Sequence, residues 1–233
     1  MKAGDKKAAE KYLKKARLLS IFLQWAPFLR CIILNGSLAA GTAKESSDID
    51  ILIIARRGRI YTVRFCVNSF AAILGIKRSN DNKSHAGKFC FNYFLTDNFL
   101  TVPIRRGRKV DRYCADNYSR SVLVWGKQTV FDRFMEENEE LFRKATTDDR
   151  RPAYRRGKPP TEVALPMKIF HPVFVIGRIL EFFLNGWLGK RMENVLKRYQ
   201  IRKIEKDERT KKYPDFIVYS DRELRFHPPK RVN

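Results

Sequence analysis

The chain is poor in the residues from which many active sites are built. Its 233 residues include three histidines and four cysteines. Cys31, Cys66, Cys90 and Cys114 stand far apart and form no C-x-x-C pair, which argues against a structural zinc site. Their apolar neighbours predict buried thiols in a reducing compartment. His85, His171 and His227 are scattered, and no G-x-S-x-G elbow is present, so the sequence assembles no nucleophile–base pair. Long uncharged apolar runs are also missing. The most apolar windows, 60–76 and 163–188, contain Arg64 in the first and Lys168, Arg178 and Glu181 in the second. A spanning helix needs about 20 nearly uncharged residues. The opening "MKAGDKKAAEKYLKKARLL" has no signal-peptide apolar core. A cytoplasmic protein is expected. A membrane partner is not, although window 163–188 is the segment that would touch one.

Acidic residues are the minority charge, 25 Asp and Glu against 48 Lys and Arg, a formal net charge of +23. That excess repels itself unless a polyanion or salt screens it, and nucleic acid is the first candidate for such a surface. The hydrophobic fraction of 44% and aromatic fraction of 12% still suffice for a real core.

Periodicity and turn residues predict an alternating pattern. Residues 5–24 read as helix, 31–34 as a buried strand ending at Asn35-Gly36, and 38–43 as a helix start. Residues 48–55 read as a central strand, 60–75 as a buried helix and 88–96 as a third strand. Residues 115–125 and 130–144 look helical. The Pro- and Arg-rich 146–162 is the expected linker. Beyond it, 166–200 reads as a long helix interrupted near "NGWLG", followed by a basic stretch, an apolar piece at 215–219 and a polar tail. The expected organisation is a small mixed-sheet α/β core over 1–145, a basic linker over 146–162 and a mostly helical, basic region over 163–233. Trp25, Trp125 and Trp187, with Phe89, Phe91, Tyr93 and Phe94, are assigned to packing. The basic turns at 56–59 and 105–109 either flank a cleft or are solvated.

The chemistry concentrates in "NGSLAAGTAKESSDIDILIIA", residues 35–55. Alternation along a strand puts Asp48 and Asp50 on one face, about 7 Å apart at the backbone. Two such carboxylates repel unless a cation bridges them, and all-oxygen sites favour Mg²⁺ or Mn²⁺. Gly36-Ser37, between a strand and a helix start, offers backbone N–H groups and a hydroxyl to an anion. No Walker A loop, G-x-G-x-x-G or EF-hand spacing is present. A phosphate cradle beside an acid pair fits a nucleoside triphosphate with its metal.

The stretch "GSLAAGTAKESSDIDILII" resembles the signature of the DNA polymerase beta-like nucleotidyltransferases. Gly36, Ser37, Asp48 and Asp50 match it, and Gly41 and Ser47 fit the usual form. More weakly, "GKFCFNYFL" and "SDRELRFHP" are similar to segments of bacterial proteins with this domain. The resemblance implies two-metal transfer of a nucleoside monophosphate onto an acceptor hydroxyl, possible on nucleic acid. Asp48 and Asp50 would hold Mg²⁺ or Mn²⁺, and Gly36, Ser37, Gly41 and Ser47 would serve the nucleotide. Active relatives usually add a third carboxylate from a later strand. Here "KFCFNYFLTD" offers Asn92, which can ligate but cannot act as a base. Asp97 and Asp111 are the acids next in line. The competing expectation is an inactive domain of this fold that binds nucleotide or RNA.

Overall fold

The computed structural model describes residues 3–78, 85–102, 117–145 and 171–226. The expected linker, the basic turn at 105–109, Asp111, Cys114 and His227 lie outside the described residues.

The first helix, α1 (Ala3–Leu23), buries Tyr12, Ala16, Leu19 and Leu23, one stripe at helical spacing. It leads into β1 (Leu29–Asn35) and the one-turn α2 (Gly36–Ala39). Strand β2 (Ile49–Ala55), helix α3 (Ile60–Ile73) and strand β3 (Phe89–Thr96) follow. After β4 (Val122–Gly126) come α4 (Gln128–Glu137) and α5 (Glu139–Ala145). The C-terminal part holds α6 (His171–Phe183), α7 (Trp187–Lys206), α8 (Glu208–Lys212), β5 (Ile217–Tyr219) and β6 (Glu223–Phe226).

The six strands form one mixed sheet in the order β4-β1-β2-β3-β6-β5. Strands β2 and β3 are parallel, as a helical crossover through α3 requires; the other pairings are antiparallel. Central position explains why β1 and β2 read as nearly continuous apolar runs: both faces are covered. Ile32, Leu34, Ile51 and Ile53 face a core shared with α1 and α3. Cys31, Ile33, Leu52 and Ile54 face a second core with Phe134 of α4 and Phe142 of α5.

Three sequence expectations are corrected. Residues 122–125, within the helix expected over 115–125, belong to strand β4 (Val122–Gly126), paired with β1. "VLVWG" is β-branched and aromatic, so its local preference is already for strand, and it pairs with β1. The helix expected over 130–144 is two helices broken at Asn138. Its buried amide bonds the carbonyls of Leu100 and Phe134 and the N–H of Val102 (2.6–2.8 Å). The polar tail contains β6, which adds to β3, so residues before and after the expected linker share one sheet.

Glu181 fastens α6 to β1. Its carboxylate accepts from Arg30 Nη2 at 2.7 Å and the Phe28 N–H at 3.1 Å, and Arg178 Nη2 lies 2.5 Å away. Burial alone would raise its pKa, but Arg30, Arg178 and the Phe28 N–H together hold it below the ordinary 4.5. The folded state therefore binds this proton less readily than the unfolded chain. The stability it contributes is complete above about pH 4.5 and is lost as pH falls through the lowered value. Glu181→Gln should cost about 2 kcal/mol at neutral pH. Thermal unfolding of both proteins from pH 7 to 3 should show that difference shrinking on acidification.

Candidate nucleotide and metal site

Three neighbouring strands deliver the site. Asp50 sits on central β2, opposite Asn35 at the end of β1 and Cys90 near the start of β3. Asp48 lies two residues earlier on the same face, as strand alternation predicts. One ligand atom from each of Asp48, Asp50 and Cys90 lies within 4.8 Å of the other two. The register slips between Asp50 and Leu52, because one residue of β2, Ile51, opposes two of β3, Phe91 and Asn92. The buried Asn35 amide lies 2.5 Å from Ser121 Oγ, and in its satisfied orientation accepts from the Leu52 N–H at that slip.

The segment before Asp48 is anchored from several sides. Tyr12 of α1 donates to the Glu45 carbonyl at 2.6 Å, and Ser47 Oγ accepts from the Lys44 N–H at 2.9 Å. The Gly87 N–H bonds the Ser47 carbonyl at 2.8 Å. Ser47 thus closes the turn that presents Asp48. Gly41, in the left-handed region at φ +69°, ends the turn after α2, where the Thr42 N–H returns to the Ser37 carbonyl.

Gly36 is required on two counts. Its φ is +69°, and a Cβ there would collide with Asp50 Oδ2. The Gly-Ser turn therefore lies directly against the second aspartate. Gly36→Ala should cost about 1–2 kcal/mol from the left-handed backbone and displace the Asp50 carboxylate. The expected readout is a modest fall in unfolding temperature with a far larger loss of metal-dependent nucleotide binding.

Arg78 is the cation that touches the acids. Its Nη1 lies 2.5 Å from Asp48 Oδ2 and 3.9 Å from Cys90 Sγ. Burial would lower its pKa, but Cys90 and Asp48 outweigh that and raise it. Burial, then the charges of Asp50 and Asp48, push the Cys90 thiol up to about 12. Burial and then Arg64, Lys203 and Arg209 push Lys77 down to about 8. Helices α7 and α8 thus bring positive charge to the side of the site.

Asn92 is half-buried on β3, two residues beyond Cys90 and next to the register slip. The third donor grouped with the aspartates is Cys90, which the sequence reading took only as a buried thiol. Strand alternation puts Cys90 and Asn92 on one face, and only the β2–β3 register tells which lies beside Asp50. Arg78 was also missed, for the same reason. Asp97 sits past the far end of β3, accepting from the Arg57 N–H at 2.8 Å with Arg30 3.7 Å away. It is not part of the acid cluster. The basic turn at 56–59 lies at the far end of β2 as well. Arg56 bonds Asn185 at 2.6 Å, and Arg59 stacks on Phe28 and donates to the Leu184 and Asn185 carbonyls.

A family model described as "Nucleotidyltransferase domain" matches residues 16–91. The match spans Gly36, Ser37, Asp48, Asp50 and Cys90 and stops one residue short of Asn92. No curated protein matches the chain. Among solved structures, one described as "Crystal structure of the toxin-antitoxin with AMP-PNP" aligns at 16% identity with a TM-score of 0.33. The alignment covers 57% of this chain and 90% of that one. Domains of this family use nucleoside triphosphates and typically divalent metals, and the Asp48–Asp50–Cys90 cluster is compatible with a metal ion. Residues 16–91 thus carry the match to a nucleotidyltransferase domain, and the sheet to which they belong is extended by the C-terminal strands.

Proposed function

We propose that the protein transfers a nucleoside monophosphate from a nucleoside triphosphate to an acceptor hydroxyl, with Mg²⁺ or Mn²⁺ as cofactor. The observation that carries this reading is the convergence of Asp48, Asp50 and Cys90 against the Gly36-Ser37 turn. The two carboxylates suit a divalent cation, whereas the protonated Cys90 thiol is a weak donor to Mg²⁺ and Arg78 would have to share Asp48 with the ion. Asp48 and Asp50 would hold the metal, with Cys90 as the neighbouring donor and Asn92 further along the strand. When bound, the metal supplies positive charge to the attacking and leaving oxygens. The chain's own groups do the rest. Gly36 and Ser37 receive the outer phosphates, Gly41 and Ser47 shape the loop around them, and Arg78 has the charge to hold a phosphate oxygen. The acceptor hydroxyl gives up its proton to water as its oxygen bonds to the α-phosphorus, and the bond from that phosphorus to the bridging oxygen breaks to release pyrophosphate.

An acceptor on nucleic acid is the reading that the basic surface favours. Helix α7 lines a shallow groove of about 650 Å³ with Val195, Arg198, Tyr199, Arg202, Lys203 and Lys206. Lys203 and Arg209 are close enough to act on Lys77, next to Arg78. A phosphate backbone on this track would bind less tightly as salt rises.

The test uses nucleotides labelled at the α- or the γ-phosphate, with Mg²⁺ and total cellular RNA. Label should pass to RNA from the α-position alone, with pyrophosphate released. A second reading, binding without turnover, is favoured by the later strand's offering Asn92 and the thiol of Cys90 but no third carboxylate. It predicts nucleotide binding with no label transferred. If the thiol limits the site, Cys90→Asp should strengthen the response to Mg²⁺, read by titrating the metal against nucleotide affinity.

A further inference from the structure

The corner between α6 and α7 carries an apolar face that the nucleotide site does not use. Val175, Ile176, Ile179, Phe182 and Phe183 recur at the spacing of one helix face, and Trp187 and Leu188 continue it around the bend. All seven are exposed, with Phe182 at 78%, Phe183 at 67% and Trp187 at 70%. Trp187 was expected to pack; it stands in the open with Arg191 stacked 5.3 Å from its ring. A soluble surface rarely leaves so many large apolar side chains together without a partner.

The exposed charges around this face are basic. Between Val175 and Arg191 the charged residues are Arg178, Glu181, Lys190 and Arg191. Glu181 is taken up by Arg30 and Arg178. Arg57 is exposed on the turn beneath the corner. A second copy of a chain with net charge +23 would be repelled. Aliphatic side chains such as Val175, Ile176 and Ile179 offer nothing for a nucleic acid base to stack on. An apolar stripe with aromatic residues, rimmed by cations, matches the headgroup region of an anionic bilayer.

We propose that the α6–α7 corner docks the protein on an anionic membrane surface. Phe182, Phe183, Trp187 and Leu188 enter the boundary between headgroups and chains, while Lys190 and Arg191 meet the lipid phosphates. The contact is interfacial. The two helices meet at 98°, and no single described helix is long and apolar enough to cross a bilayer. The turn at 56–59, which clamps Asn185, lies at the opposite end of β2 from Asp48 and Asp50, about 20 Å away. The nucleotide site is thus left clear of the lipid.

The experiment compares the full chain with Phe182→Ser/Phe183→Ser/Trp187→Ser, which keeps every charge, on phosphatidylcholine vesicles with and without 30% phosphatidylglycerol. Thermal unfolding checks that the variant folds. The wild type should sediment with the anionic vesicles, and the variant should bind about 100-fold more weakly. Trp187 emission, assigned by difference from Trp187→Phe, should shift to the blue on vesicle addition. Equal binding by the triple variant would reduce the contact to charge adsorption and overturn the proposal. So would no binding, or equal binding to neutral vesicles. Shielding of Trp187 from acrylamide before lipid is added would show the face already covered, by a second copy if the wild type sediments as a dimer and the variant does not. That result would overturn the proposal as well.

Discussion

Asp50→Asn is expected to remove metal-dependent nucleotide binding, by at least about 100-fold in metal affinity, while leaving the fold intact. The substitution keeps the shape of the side chain and deletes its charge, so β2 has no reason to move. Asp50 is the aspartate at the centre of the arrangement: Gly36 lies against its carboxylate, and Cys90 pairs with it across the strands. Asp48→Asn should act in the same direction and also release Arg78 from its carboxylate partner. Transfer activity should fall on the order of 10³-fold for either, because charge developing in the transition state loses its compensation. Asp97→Asn is the control. It removes a carboxylate of the same type from the far end of β3, where it meets Arg30 and the Arg57 N–H, and should leave nucleotide binding unchanged.

Glu193→Ala should give the largest loss of stability away from the site, about 3 kcal/mol, or roughly 6–12 °C in the unfolding midpoint. Glu193 is buried on α7, and its carboxylate accepts from the N–H groups of Tyr61 and Thr62 at 2.9 and 2.8 Å and from Thr62 Oγ1 at 2.5 Å. Those N–H groups belong to the first turn of α3, which no residue of its own caps. Helix α7 thus completes helix α3, which lies within the residues matched by the family model. Gln200 extends the same contact, donating to the Tyr61 carbonyl at 2.8 Å and accepting from Arg64 at 2.6 Å. Glu193→Gln keeps an acceptor in place and should cost about 1 kcal/mol. Chemical denaturation of the three proteins, with Tm read alongside, checks both values.

The core of the fold was legible because its signals are local. The nearly continuous apolar runs of β1 and β2, the turn at Asn35-Gly36 and the apolar stripe of α1 each follow from residues within one element. What escaped the sequence reading depends on partners distant in the chain. Strand β4 was read as part of a helix over 115–125, although "VLVW" is strand-favouring, and pairing with β1 gives it its place. "ELRF" is too short and charged to announce a strand, yet its Glu223 and Arg225 are buried beside β3 with a 3.3 Å ion pair between them. In the site, Gly36, Ser37, Asp48 and Asp50 were readable from spacing alone. Cys90 was not, because one residue of register decides whether Cys90 or Asn92 lies beside Asp50. Trp187 shows the opposite limit. Its size suggested packing, but only the bend after α6 places it in solvent.

Isothermal titration of the four ribonucleoside triphosphates into wild type and into Asp48→Ala/Asp50→Ala, each with and without Mg²⁺, tests the central claim most directly. The account predicts that at least one nucleotide binds the wild type when Mg²⁺ is present, and that the double variant loses this binding while unfolding at a similar temperature. Absence of nucleotide binding with Mg²⁺ or Mn²⁺, or binding that survives loss of both aspartates, would contradict it.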